Sequence, residues 1–146
     1  RKREEVSLLC LWSGPEFTSQ RCAESSWPLA SLAIMDHSQT PSGMPDLFGM
    51  GRGGGLYRLT PNGLVLVAET SATNSDFSAA FGAVAVGLDK GRSEVWSVRR
   101  GVRLCQFRSP SPFPSEVRFL GDSRQLATLT SNVLRVFDLG GCLVRQ

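Results

Sequence analysis

Few residues in this chain could do chemistry on their own. The single histidine, His37, follows Asp36, and an acid that is merely adjacent cannot orient an imidazole as a triad carboxylate does. No nucleophile elbow and no pair of carboxylates in apolar surroundings accompanies it. Gly49-Met50-Gly51-Arg52-Gly53-Gly54 satisfies the spacing G-x-G-x-x-G. A dinucleotide site needs a strand before that motif and a helix opening after it. Here Leu56-Tyr57-Arg58-Leu59 and the turn Pro61-Asn62-Gly63 follow, so a hairpin turn is expected instead. Neither an enzyme nor a cofactor site is therefore expected.

The four cysteines (Cys10, Cys22, Cys105, Cys142) lie far apart, each in or beside an apolar run, with no Cys-x-x-Cys pair. Metal-ligand spacing is absent, and the expectation is buried, reduced thiols acting as small hydrophobes. No Asn-x-Ser/Thr acceptor occurs, which agrees with an intracellular, cytoplasmic setting. Arginine is the remaining chemistry: fourteen Arg stand against two Lys, with a net charge of +3. So mild a balance does not call for nucleic acid. The arginines concentrate late, however. Arg99, Arg100 and Arg103 flank a hairpin turn and are expected to share one rim, where guanidinium forks can hold carboxylates or phosphates, and Arg92 is a further candidate for partner binding. Ser109-Pro110-Ser111-Pro112 falls in an exposed linker nearby, where its prolines read as punctuation between strands.

Those residues must be carried by strands. The chain has 146 residues, 41% hydrophobic and 20% charged, with Gly and Pro scattered between short apolar runs, a pattern of many strands and tight turns. No apolar run approaches the length of a spanning helix. The expected strands include Glu5 to Trp12, Phe17 to Ala23, Leu29 to Met35, and a meander either side of Pro61-Asn62-Gly63. A second meander runs through Ala83 to Gly87, Ser93 to Val98 and Val102 to Phe107. A third ends in a strand from Cys142 to Arg145.

The aromatics Trp12, Tyr57, Trp96 and Phe137 recur at intervals of 45, 39 and 41 residues, each preceded by an apolar residue. A fixed period of about 40–45 residues marks a repeating four-stranded sheet. In such a sheet a large aromatic beside the turn fills space between neighbours.

Two stretches then carry a resemblance. They are Gly87-Leu88-Asp89-Lys90-Gly91 with Val95-Trp96-Ser97-Val98, and Val117 to Thr128 with Val136-Phe137-Asp138-Leu139. The sequence there resembles the WD-repeat β-propeller family. The usual Trp-Asp pair becomes Trp12-Ser13, Tyr57-Arg58, Trp96-Ser97 and Phe137-Asp138, and the opening Gly-His pair is missing throughout. The family's His, Ser/Thr, Asp and Trp network is therefore incomplete in every repeat.

The resemblance implies an all-β fold, a partial propeller of about three to four four-stranded antiparallel blades. Residues 1–26 would form half a blade of two outer strands, and 27–69, 70–107 and 108–146 one blade each. So few blades cannot close a ring, which implies a segment of a longer protein whose remaining blades complete it. The function implied is a non-catalytic scaffold for protein partners, with no membrane. The alternative is a module that takes acidic or phosphorylated ligands on the rim of Arg92, Arg99, Arg100 and Arg103.

Overall fold

The computed structural model describes residues 7–13, 19–25, 29–36, 46–51, 53–60 and 62–143. They form an all-β structure of four antiparallel sheets, each a meander in chain order. The first is the hairpin β1 (Ser7–Ser13) and β2 (Ser19–Ser25). The second holds β3 (Leu29–Asp36), β4 (Asp46–Gly51), β5 (Gly55–Thr60) and β6 (Gly63–Glu69). The third holds β7 (Asn74–Ser78), β8 (Ala83–Gly87), β9 (Arg92–Ser97) and β10 (Val102–Arg108). The fourth has three strands: β11 (Glu116–Phe119), β12 (Gln125–Thr130) and β13 (Val133–Asp138).

The third sheet is the centre of the packing, and β8 shows why. Its run Ala83-Val84-Ala85-Val86 is buried on both faces, so period-2 alternation separates large from small side chains rather than apolar from polar. Val84 and Val86 pack with Phe48, Met50 and Leu56 of the second sheet, and with Leu88 and Val98. Ala83 and Ala85, on the opposite face, pack with Val95, Cys105, Val117, Leu126 and Leu139. The sheets are thus stacked face to face in chain order, the third between the second and the fourth. Each fully buried valine contributes about 1.5–3 kcal/mol over an exposed one.

The first strands of successive sheets lie together. Ser31 of β3 and Ser75 of β7 share a hydrogen bond of 2.8 Å. Asn74 and Asp76 of β7 then reach across to β11. Asn74 Oδ1 accepts the Val117 amide at 3.1 Å, Asp76 Oδ2 accepts the Phe119 amide at 2.7 Å, and the Asn74 amide donates to the Ser115 carbonyl at 2.5 Å. Two polar side chains therefore stand in for a pairing strand along an edge whose amides would otherwise be unpaired.

Turn chemistry fixes the rims. Lys90 and Gly91 between β8 and β9 both have positive φ, 58° and 68°, the arrangement a two-residue hairpin turn requires. The linker after β10 seals onto that turn: Ser109 N donates to Gly91 O, Gly91 N to Phe113 O and Ser115 N to Leu88 O.

The chain's end departs from expectation. No strand begins at Cys142; Gly140–Leu143 instead form one helical turn, α1, with Leu143 N and Cys142 N both donating to Leu139 O. Leu139 is buried as an anchor, and Asp138 Oδ1 accepts the Gly140 amide at 2.7 Å. The reversal carries Cys142 to Cys105 of β10, and the two form a disulfide with a Cα–Cα distance of 5.7 Å. The expected reduced thiols are corrected there. Burial of Cys105 on the face toward the fourth sheet, not spacing in sequence, creates the pair. Cys10 and Cys22 stand directly opposite one another in the β1–β2 register. Strand β7 begins at Asn74 and stops at Ser78, where the chain turns through Gly82. No helix among the described residues is long and apolar enough to cross a membrane.

Candidate functional site

The four candidate arginines occupy three places. Arg99 and Arg100 sit exposed in the β9–β10 turn, closed by the Gly101 amide donating to Ser97 O at 2.9 Å. With Phe81, Gly82 and Ser97 they border a recess of about 380 Å³. Arg103 lies within β10, opposite Trp96, and its Nη1 is 2.9 Å from Glu94 Oε1. Arg92 begins β9, at the end of that strand away from the Arg99–Arg100 turn, and its Nε donates to Asp89 O at 3.4 Å. Direction along one strand separates them: β9 carries Arg92 to one rim and delivers Arg99 and Arg100 to the other.

A larger groove, of about 710 Å³, opens between β5–β6 and β9. Tyr57, Leu66, Glu69, Arg92, Glu94 and Trp96 line it. Its organising residue is Glu94, only 6% exposed. One carboxylate oxygen accepts the Trp96 indole N–H at 2.9 Å and the other accepts Arg103 at 2.9 Å. A carboxylate can lie so deep because both oxygens have charged or polar donors. Sequence reasoning missed Glu94. The signal was present, since residues i and i+2 of a strand share a face, and Glu94-Val95-Trp96 puts an acceptor beside the indole donor.

The expected blade-filling aromatics differ in their settings. Trp96 is half-buried, packed against the core shared by the second and third sheets while lining the groove. Tyr57 borders the same groove. Phe137 of β13 stacks on Phe107 of β10, with ring centroids 4.6 Å apart at 28°, and so links the third and fourth sheets. Trp12 pairs through its backbone with Gln20; its side chain lies outside the described residues.

The glycine-rich motif runs from the end of β4 through a turn into β5, a strand-turn-strand arrangement with no helix opening after it. Arg52 within it lies outside the described residues, as does His37. Among the described residues no three His, Cys, Asp or Glu side chains gather as a metal-ion group. A scan against models of known families matches none, and a search of curated proteins finds no match for the chain.

Proposed function

We propose that this chain is a segment of a WD-repeat-like β-propeller in a larger intracellular protein, and that it works as a non-catalytic scaffold for protein partners. The observation that supports the reading is the order in which the sheets pack. Successive meanders stack face to face, and their first strands, β3, β7 and β11, lie side by side through Ser31, Ser75, Asn74 and Asp76. In a propeller the first strand of each blade lines the axis and the turns between later strands form the rims. On that plan Arg99 and Arg100 stand on a rim, where a partner would meet them.

A second reading, a module for acidic or phosphorylated ligands, is favoured by the recess that Arg99 and Arg100 share with Ser97. Of the four arginines that pair alone borders the recess, since Arg103 lies within β10 beside Glu94 and Arg92 begins β9 at its other end. The test for both is the double change Arg99→Glu and Arg100→Glu, with binding to partner proteins compared at low and moderate salt. A steered acidic partner associates more slowly with the variant, and the salt dependence flattens, because screening acts over about 8–10 Å. Unchanged association at both salts would remove the arginine turn from the function.

A further inference from the structure

We propose that Ser111 is a phosphorylation site for a proline-directed protein kinase, and that its phosphate is held by Lys90, Arg92 and Arg108, fastening the linker onto the β8–β9 turn. The inference goes beyond the scaffold reading and uses neither the Arg99–Arg100 turn nor an open sheet face.

An unbalanced group of cations carries it. Arg92 opens β9 and Arg108 closes β10, and the two stand directly opposite one another in the register. Like charges so placed repel, and an anion between them would relieve the repulsion. None is supplied: Arg92, Arg108 and Lys90 have no ion-pair partner among the described residues. Arg92 Nε donates to the Asp89 carbonyl, and no contact among the described residues engages its terminal nitrogens. Glu94, next on that face of β9, is held by Trp96 and Arg103. Glu69 lines the groove with Arg92 without pairing to it, and Asp89, the acid of the turn, pairs with none of the three cations. Lys90 and Arg108 are exposed.

The linker brings a hydroxyl to that rim. After Arg108 the chain turns back over Gly91, held by Ser109 N to Gly91 O, Gly91 N to Phe113 O and Ser115 N to Leu88 O. Between those fastenings Ser111 lies against Gly91, its carbonyl oxygen 3.2 Å from where a Cβ would stand. Lys90 and Arg92 are the neighbours of Gly91 on either side, and Arg108 closes the strand from which the linker leaves. The two serines of Ser109-Pro110-Ser111-Pro112 differ in access. Ser109 is 2% exposed, whereas Ser111 is half-buried between the exposed Pro110 and Pro112. Ser111 Oγ accepts the Phe113 amide at 3.1 Å, so one donor already serves the oxygen that would carry the phosphate. Phosphoserine brings about two negative charges and three acceptor oxygens, which match guanidinium and ammonium donors. In the transfer the Ser111 oxygen bonds to the γ-phosphorus of ATP, the bond to ADP breaks, and the hydroxyl proton passes to the kinase's catalytic base.

A purified proline-directed kinase with ATP, acting on the folded protein, should modify Ser111 and not Ser109, as mapped by mass spectrometry. Absence of phosphate at Ser111, or equal modification of Ser109, overturns the site. Its consequence is read on protein carrying phosphoserine in place of Ser111, installed during translation. Hydrogen exchange at the Gly91, Ser109 and Ser115 amides should slow by about tenfold or more, the worth of one charge-assisted hydrogen bond. The second ionisation of the phosphate, followed by phosphorus NMR, should fall below its ordinary value of about 6, because nearby cations favour the dianion. Lys90→Gln with Arg108→Gln should abolish both effects, and as exposed positions they leave the fold intact. Arg99→Gln with Arg100→Gln should change neither effect. Unaltered exchange and an ordinary ionisation in the phosphorylated protein overturn the clamp, as does an effect that survives loss of Lys90 and Arg108. If inorganic phosphate slows the same amides equally in the unmodified protein, the anion comes from solution and Ser111 is not its source.

Discussion

At the scale of single residues, Glu94 decides more than any arginine around it. It is buried and holds both the Trp96 indole and Arg103, whereas Arg103 is 51% exposed. Removing the acid leaves a half-buried N–H and a guanidinium without their acceptor, while removing Arg103 leaves an acid that still has Trp96. We expect Glu94→Leu to cost about 1–3 kcal/mol and Arg103→Leu less than about 1 kcal/mol. Denaturant titration of both variants checks this, and equal losses would show that Glu94 does not organise the groove. Trp96→Ala should cost about 3 kcal/mol, the low end for large aromatic truncations, because the ring is half-buried rather than enclosed. Ser97→Ala beside it should be nearly silent. Two glycines give a further contrast. Gly91 and Gly121 both have positive φ, but an added Cβ at Gly91 would stand 2.2 Å from the Ser109 carbonyl, whereas at Gly121 it would meet open space. Gly121→Ala should cost only the backbone penalty, about 1–2 kcal/mol. Gly91→Ala should cost clearly more, because the linker sealed onto that turn must also move; similar melting temperatures for the two variants would contradict the seal.

Among the elements, the contact between β7 and β11 has the sharpest consequence. Two side chains satisfy a strand edge there, so each can be removed without touching the strand it serves. Asp76→Ala should speed hydrogen exchange at the Phe119 amide, and Asn74→Ala at Val117, with a stability cost of about 1–3 kcal/mol for each orphaned partner. Exchange that rises uniformly across the fourth sheet, rather than at those amides, would mean that the two side chains do not pair the edge. The hairpins themselves were legible without any structure. Alternating apolar runs either side of Pro61-Asn62-Gly63, Asp89-Lys90-Gly91 and Arg99-Arg100-Gly101 are local signals, and each lies at a strand-to-strand turn. What could not be read was the role of Asn74, the first residue of β7, because its worth lies in a strand 43 residues away.

For the whole molecule, the stack of sheets is tied at its end by Cys105–Cys142, which closes a separation of 37 residues. A loop of that length gives up to about 4 kcal/mol by constraining the unfolded chain. Cys142→Ser should therefore lower stability by a large part of that amount in oxidised protein and by nothing under reducing conditions. A loss that persists equally in reductant would trace to the packing of Cys142 rather than to the bond. Apolar side chains also remain exposed on the faces turned away from the third sheet: Leu32 and Ile34 on the second sheet and Leu129, Leu134 and Val136 on the fourth.

The strand-rich class, the meanders and their turns follow from the sequence alone, because backbone preference and period-2 patterning act over a few residues. The recurrence of Tyr57, Trp96 and Phe137 likewise marked successive sheets. It could not say that Trp96 would share a groove with Tyr57 while Phe137 stacked on Phe107. Nor could it say that four arginines would part to three places, or that Cys142 would turn back to Cys105. Each of those outcomes depends on which faces meet once the sheets stack, on strand direction and on partners tens of residues apart, and no local pattern contains that information.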